Sequence, residues 1–296
     1  QYKVINSNNR NASFLTRLAI MLLPFSGIKN IYTARGMYFH DSQKPLSYFF
    51  SYWLEILLLF FTDIVMSQSQ NDVVKMSKNP LVNSSKLQVI HNGINQEKFS
   101  KDNIHNIDLQ LQGFVICTIG RIVKGKGLID TLEAFSIFSQ VNSNCSLLLI
   151  GGVLHEENNE FLSFFWKRAE QLKIQEKIFI TGLIDNVQDY LSIADVYIHP
   201  SYREGMPRAV LEAMALQKVV IASDIRGASE IIQNNVNGIL FNKGSIVELS
   251  DALERVHKMT QKQRKKFGSM ARKKVIQCYT EKSYISKQVK ILSQFN

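Results

Sequence analysis

The stretch FVICTIGRIVKGKGLIDTLEAF, residues 114–135, contains a strand pattern, a turn pattern and a helix pattern in one run. An apolar segment rich in β-branched residues (114–120) is followed by a glycine-containing basic turn. A helical pattern then starts at Leu128. Strands that are apolar on both faces are typical of parallel sheets covered by helices. The stretch therefore predicts one β-α unit of a doubly wound sheet.

The same alternation extends along most of the chain and predicts an α/β fold with parallel sheets. A length of 296 residues suits about two domains, and the polar, turn-rich segment 91–112 is the predicted junction. Strands are predicted at 30–34, 63–67, 87–90, 114–120, 146–152, 177–182, 195–200 and 218–223. Helices are predicted near 11–23, 45–61, 128–141, 160–173, 186–193, 207–216 and 227–234, and throughout the chain from about 245 onward.

The net charge of +10 comes largely from one region, because no acidic residue lies between Glu254 and Glu281. Two interpretations remain open: a solvated helix face, or attraction to an anionic surface such as membrane headgroups or polyanionic glycans. No zinc-finger spacing or RNA-binding signature is present, so nucleic acid is not a predicted partner. The apolar segment 45–61 contains Glu55 and is shorter than the ~20 residues of a membrane span. It predicts a buried or interfacial helix.

The turn after strand 114–120 places Arg121 and Lys126 five residues apart, with Gly125 and Gly127 on either side of the lysine. Ligands of doubly wound sheets bind at the carboxyl ends of the strands. An Arg fork and a Lys point charge there suit a diphosphate. The alternative is an ordinary basic turn before a helix.

The stretch SYREGMPRAVLEAMA (201–215) follows strand 195–200 and starts a helix near Pro207. Backbone N–H groups at such a helix start favour an anion. Glu212 lies about two turns along the helix and Glu204 in the loop before it. Both carboxylates could accept hydrogen bonds from sugar hydroxyls, or could have capping and surface roles. After strand 177–182, Gly182 and Leu183 begin a loop whose backbone could hold a flat base.

Three segments, GRIVKGKGLIDTLEAF, GLIDNVQDYLSIADVYIHPSYREGMPRAVLEAMA and SDIRGASEIIQNNVNGILF, resemble the donor half of retaining glycosyltransferases of family four. The subgroup resembles bacterial enzymes of capsule, O-antigen or exopolysaccharide synthesis. The resemblance implies the GT-B architecture: a partial acceptor-side Rossmann-like domain at 1–95, a donor-binding one at 96–280, and a C-terminal helix at 281–296 that packs back on the first.

The resemblance also implies a hexosyltransferase that moves sugar from a nucleotide-sugar, expected to be UDP-linked, without a metal. Arg121 and Lys126 would bind the diphosphate, Glu212 the ribose hydroxyls and Glu204 the donor sugar near C3. Gly205, Met206 and Pro207 would offer backbone contacts. Arg121, Lys126 and Glu204 are the expected catalytic residues. Gly182 and Leu183 complete the expected donor-binding set.

The expected acceptor is a saccharide or a polyprenyl-linked one, which places the enzyme in the cytoplasm, peripheral at the inner face of the plasma membrane. The chain starts where the resemblance expects a later strand of the acceptor domain, and Arg35 stands where the family often has His. An active transferase, with its missing segment either cut from this sequence or supplied by a partner chain, is therefore one hypothesis. A nucleotide-sugar-binding module without turnover and an inactive fragment are the others. Little turnover is expected from these 296 residues alone.

Overall fold

The structure is a computed structural model that describes residues 3–23, 27–37, 39, 43–154 and 158–295. The chain divides into two compact units. The first consists of Gln1–Gly93, Glu204–Met206 and Glu281–Asn296. The second consists of Ile94–Arg203 and Pro207–Thr280.

The first unit is built on a four-stranded parallel sheet of order β1-β2-β3-β4. Residues alternate between its faces, so that Tyr32 and Val65 pack with α2 and α3, whereas Ile31 and Met66 pack with Ile291 of α11. The strands are β1 (Val4–Ser7), β2 (Lys29–Ala34), β3 (Ile64–Ser67) and β4 (Leu87–Val89), and the helices are α1 (Arg10–Leu22), α2 (Pro45–Leu59), α3 (Gln70–Ser77) and α11 (Glu281–Leu292).

The second unit contains a six-stranded parallel sheet of order β10-β9-β8-β5-β6-β7. The chain runs outward from β5 to β7, then returns to pair β8 with the other side of β5. That reversal makes the β5–β8 edge the switch point of a doubly wound sheet. The strands are β5 (Phe114–Ile119), β6 (Cys145–Ile150), β7 (Ile178–Ile180), β8 (Val196–His199), β9 (Val219–Ser223) and β10 (Ile239–Phe241). The helices are α4 (Leu128–Val141), α5 (Asn159–Gln171), α6 (Val187–Ser192), α7 (Arg208–Ala215), α8 (Arg226–Ser229), α9 (Ile246–His257) and α10 (Gln261–Cys278).

The predicted parallel α/β arrangement is confirmed, and both faces of the second sheet are buried. Leu147 and Leu149 point to one face and join a core with Phe135 of α4 and Leu253 of α9. Leu148, between them in sequence, is equally buried on the other face. This is why the strands have continuous apolar runs rather than an alternating pattern.

One predicted helix is wrong in length. The pattern predicted a helix near 227–234, but α8 ends at Ser229. The Asn237 side chain accepts from the N–H of Gln233 and donates to the carbonyl of Ile231, and Asn235 adopts a φ of 63°. Asparagine side chains compete with the helix for backbone groups in this way, so the chain turns toward β10.

The apolar segment 45–61 forms α2, and Glu55 lies buried within it. Its partner is Arg17 of α1, whose Nη1 lies 3.0 Å from Glu55 Oε2, and neither side chain is more than 1% exposed. The guanidinium also lies 4.5 Å from the centre of the Tyr32 ring. Among the described residues, no helix has the length and apolar character that crossing a membrane requires.

The basic segment after Glu254 forms α10 and has more than one role. Arg264 lies 3.2 Å from Asp195, and Arg272 donates to the carbonyls of Phe99 and Ala215. Lys262, Lys265, Lys266 and Lys273 are exposed. The arginines therefore hold α10 within its unit, while the lysines form a solvated face.

Candidate functional site

A pocket opens at the switch point of the second unit, where β5 and β8 end. It is lined by Thr118, Ile119, Gly120, Arg121, Ile122, Lys126, Leu128, Leu149, His199, Pro200 and Ser201. The lining residues come from the ends of neighbouring strands and from the loops that follow them. The loops after β5 and β8, which the sequence argument selected, both contribute residues to this pocket.

Two loops are held against each other at this pocket. The N–H of Tyr202 donates to the carbonyl of Gly125 at 2.9 Å, and the Tyr202 hydroxyl donates to Asp130 at 2.6 Å. Burial and this bond to Asp130 raise the pKa of Tyr202 to about 12. Gly127 has a φ of +68°, and a Cβ added there would lie 2.1 Å from the carbonyl oxygen of Pro200. Only glycine allows this approach, which fixes the turn carrying Lys126 beside the end of β8.

The structure brings Arg121 and Lys126 to the same pocket, as the five-residue spacing predicted. Arg121 is exposed and Lys126 is half-buried. Lys124 lies in the same turn but is not among the lining residues. Lys124 therefore carries a positive charge in the same turn as Arg121 and Lys126 but does not line the pocket.

Helix α7 begins one residue later than predicted, at Arg208, with buried Pro207 as its N-cap. Glu212 is the fifth residue of α7, little more than one turn from its start, so the prediction of about two turns is corrected. The Glu212 side chain is 14% exposed, and its Oε1 lies 4.0 Å from Arg208 Nη2. Burial raises the pKa of Glu212, and the charges of Arg208 and Lys98 oppose that rise. A carboxylate in these surroundings lacks much of its hydration and is suited to accept hydrogen bonds from a ligand.

Gly182 and Leu183 follow β7 and lie beside the loop that follows β6. Gly182 forms a bridge with Gly151, and a Cβ added to Gly152 would lie 3.2 Å from Gly182 Cα. Leu183 is 62% exposed. Neither residue is in the lining of the pocket at the β5–β8 switch point, but the loop that Gly182 contacts reaches the turn after β5, where the N–H of Ile122 donates to the carbonyl of Gly152.

Glu204, Gly205 and Met206 belong to the first unit. A Cβ added to Gly205 would lie 2.2 Å from the carbonyl oxygen of Arg35, so the backbone passes Arg35 at a distance that only glycine permits. The Asn92 side chain donates to the carbonyl of Met206 at 3.4 Å. Glu204 is half-buried, and Arg35 is exposed. Tyr38 and His40, which follow Arg35, lie outside the described residues.

Sequence reasoning missed the residues that β8 itself contributes to the pocket. His199 is buried, its Nδ1 lies 2.9 Å from the Tyr197 hydroxyl, and Ser201 follows two residues later. The signal was present, because the polar residues of HPS end an otherwise apolar strand. A strand that ends in His and Ser at a switch point predicts pocket residues by the same rule that selected Arg121.

The profile described as Glycosyl transferases group 1 matches residues 100–274, more than half of the chain. The chain belongs to this family. The matched region includes Arg121, Lys126 and Glu212. The chain is thus a group 1 glycosyltransferase.

One relative of this glycosyltransferase is named for capsular polysaccharide biosynthesis and another for galactosyl transfer to a diphosphoundecaprenol-linked acceptor. The chain is 28% identical over 265 residues to the capsular polysaccharide biosynthesis glycosyltransferase CapM of Staphylococcus aureus, covering 86% of this chain and 67% of CapM. It is 24% identical to the UDP-Gal:alpha-D-GlcNAc-diphosphoundecaprenol alpha-1,3-galactosyltransferase of Escherichia coli, covering 86% of this chain and 66% of that enzyme. The chain spans about two thirds of the length of each relative.

A solved structure with the same fold is that of HepE from Anabaena in complex with UDP and glucose. Its TM-score is 0.82 at 18% identity, over 99% of this chain and 78% of HepE. This likeness shows the predicted GT-B fold with two Rossmann-like sheets.

Proposed function

We propose that this group 1 glycosyltransferase is a hexosyltransferase that takes sugar from a UDP-sugar and adds it to a growing surface polysaccharide or a polyprenyl-linked saccharide. The observation that carries the proposal is the switch-point pocket lined by Arg121 and Lys126. A planar guanidinium and an ammonium at the end of a parallel strand are suited to a diphosphate. As the sugar–phosphate bond breaks, the same cations would stabilise the departing diphosphate.

The other roles are proposed residue by residue. Glu212, half-buried on α7, accepts hydrogen bonds from the ribose hydroxyls, and Pro207 presents the backbone of the helix start to the ligand. Gly182 and Leu183 offer backbone groups to the base. Glu204 binds the donor sugar near C3, with backbone contacts from Gly205 and Met206; these three roles rest on the sequence resemblance.

Known proteins support the choice of donor and acceptor. HepE was crystallised with UDP and with UDP-glucose, and the Escherichia coli relative is named for a UDP-galactose donor and a diphosphoundecaprenol acceptor. We extend both to this chain and place it in the cytoplasm at the inner face of the membrane, where such acceptors are built. The resemblance to family-four enzymes supports retention of the anomeric configuration and catalysis without a metal.

Calorimetry with UDP tests the pocket. Replacing Arg121 or Lys126 by Ala should weaken binding by about 1.5–3 kcal/mol each, the worth of a hydrogen bond to a charged group. Lys124→Ala is the matched control, because it removes the same charge from the same turn outside the pocket. Equal losses in all three variants would reduce the effect to general electrostatics, and no loss in the first two would remove the diphosphate assignment.

Turnover is tested by release of UDP from a panel of UDP-sugars in the presence of a polyprenyl-linked acceptor. The proton NMR spectrum of the product should show the anomeric configuration of the donor, and EDTA should leave the rate unchanged. An inverted product would overturn the retaining mechanism. Loss of activity in EDTA that added Mg²⁺ restores would overturn catalysis without metal.

A further inference from the structure

The segment 94–105 of the second unit has little regular structure, yet it holds Lys98 in a fixed place. The Asn95 side chain accepts from the N–H of Lys98 at 2.9 Å, and the Asn103 side chain donates to the carbonyl of Glu97 at 2.7 Å. Asparagine side chains form such local turns readily. The backbone of Lys98 is thus fixed by its own segment, and its long, exposed side chain reaches neighbouring elements.

The first of these neighbours is the 182–186 loop, to which the proposed function assigns the base. The Lys98 ammonium donates to the carbonyl of Asp185 in this loop at 3.0 Å. Further along the same segment, the N–H of His105 donates to Asp189, just after the loop, at 2.9 Å. The segment that carries Lys98 therefore holds the later end of this loop at two points.

The second neighbour is α7, which carries Glu212. Arg272 of α10 donates to the carbonyls of both Phe99 and Ala215. Phe99 follows Lys98 in the chain, and Ala215 is the last residue of α7. Because one guanidinium bonds both carbonyls, the chain beside Lys98 lies against the last turn of α7, and Glu212 is in that turn. The positive charge of Lys98 accordingly opposes the rise that burial causes in the pKa of Glu212.

We propose that Lys98 is a positioning residue for nucleotide recognition, which holds the 182–186 loop and keeps a positive charge beside Glu212. Under the proposed function, on which this role rests, that loop contacts the base and Glu212 accepts from the ribose hydroxyls. One side chain outside the switch-point pocket would then act on both parts of the nucleoside site. The alternative is a surface lysine whose contacts have no consequence, since exposed charged groups often contribute little.

The charges around Glu212 distinguish Lys98 from its neighbours. Among the described residues, Arg208 and Lys98 are the cations whose charges act on Glu212. The elements α10, β8 and β9 pack against α7. The charged or titratable residues near those contacts bond other groups: Arg272 the carbonyls of Phe99 and Ala215, Lys218 those of Ser192 and Ala194, Arg264 the carboxylate of Asp195, and His199 the hydroxyl of Tyr197. Removing the charge of Lys98 should therefore leave Arg208 facing the carboxylate, and Glu212 should bind its proton at higher pH.

Stability tests the link to Glu212 without any ligand. Urea unfolding across pH would be measured for the full chain and for Lys98→Met, each with and without Glu212→Gln. Lys98→Met keeps the apolar stem but removes the charge, so the stability gained from Glu212→Gln should become larger in that background and should reach its full value at a higher pH. Lys98→Arg should restore the wild-type behaviour. An equal gain in both backgrounds at every pH would overturn the link.

Calorimetry with UDP tests the positioning role. Lys98→Met should weaken UDP binding on the order of fivefold at neutral pH, and on acidification its affinity should fall at a higher pH than that of the wild type. Lys98→Arg should restore both the affinity and the pH profile. The matched control is Lys101→Met, which removes an exposed lysine three residues along the same segment and should bind UDP like the wild type. A loss of affinity with an unshifted pH profile would overturn the link between Lys98 and Glu212.

The two measurements separate this inference from the proposed function. A folded Lys98→Met protein that binds UDP like the wild type overturns the positioning role and leaves the proposed function standing. A wild type that does not bind UDP, but in which the stability coupling is present, overturns the donor of the proposed function and leaves the link between Lys98 and Glu212.

Discussion

Glu212 is the residue at which stability and binding are opposed. Its side chain is 14% exposed, and burial raises its pKa from the ordinary value of 4.5. The folded protein therefore binds the Glu212 proton more tightly than the unfolded chain does. The stabilisation that this gives is complete below pH 4.5 and is lost as the pH rises through the raised folded pKa.

Glu212→Gln should therefore raise the free energy of unfolding at neutral pH, and the difference from wild type should disappear in acid. The same change should weaken UDP binding, because an amide accepts hydrogen bonds less strongly than a carboxylate. Urea unfolding across pH and calorimetry with UDP measure the two effects.

Glu254 is the control, because its pKa is shifted in the opposite direction from that of Glu212. Hydrogen bonds from Lys258 and Asn142 hold the pKa of Glu254 below its ordinary value. Glu254→Gln should therefore lower stability at neutral pH and leave UDP affinity unchanged. A Glu212→Gln protein that is less stable at neutral pH would show that its carboxylate is a structural partner and not a desolvated ligand group.

At this scale the sequence predicted which loops form the pocket but not how far each side chain reaches into it. Arg121 and Lys126 follow from a spacing rule and a parallel sheet, and the structure places both in the lining. The predicted start of α7 was one residue too early, because Pro207 is compatible with either the N-cap or the first helical position. Gly182 satisfied the same strand-end rule as Arg121 yet lies outside this pocket, since β7 is an edge strand of the sheet and β5 is central.

Among the elements, α1 and α2 depend on one buried ion pair. Replacing Arg17 by Met should destabilise the chain by about 3–5 kcal/mol, because the Glu55 carboxylate would stay buried without its cation. Glu55→Leu should cost a similar amount by leaving Arg17 uncompensated. The double variant Arg17→Met, Glu55→Leu should recover most of the loss, since two apolar side chains leave no buried charge.

Urea unfolding monitored by circular dichroism measures these free energies. Lys29→Met is the control, because its ion pair with Asp63 is half-exposed and such pairs contribute about 0–1 kcal/mol. Additive losses in the Arg17 and Glu55 variants would contradict the coupling. Sequence patterns could not have revealed this pair, which joins positions 38 residues apart on two helices. The segment pattern predicted only a buried or interfacial helix that contains Glu55.

In the whole molecule, the second unit closes on itself at the two points where the chain enters and leaves it. The N–H of Ile94 donates to the carbonyl of Tyr279 at 3.0 Å, and Ile94 forms a bridge with Thr280. Ile94 is fully buried, and the Tyr279 hydroxyl donates to the carbonyl of Glu230. A unit whose ends are joined, and which has its own core, has the properties of an independently folding domain.

The segment 94–280, expressed alone, should therefore unfold in one cooperative transition and bind UDP with the affinity of the full chain. A shorter segment that ends at residue 278 should have a lower melting temperature, because Ile94 would lose its hydrogen bond to Tyr279 and its bridge with Thr280. Circular dichroism on heating and calorimetry with UDP measure the two properties.

Arg121, Lys126 and Glu212 all lie inside this segment. Glu204, Gly205 and Met206 are also inside it, but Gly205 and Met206 would lose their contacts with Arg35 and Asn92. Intact UDP affinity together with a loss of affinity for the sugar part of a UDP-sugar would locate nucleotide binding in the second unit and assign sugar binding to the Glu204 segment. A segment that folds but does not bind UDP would instead show that nucleotide binding needs residues of the first unit.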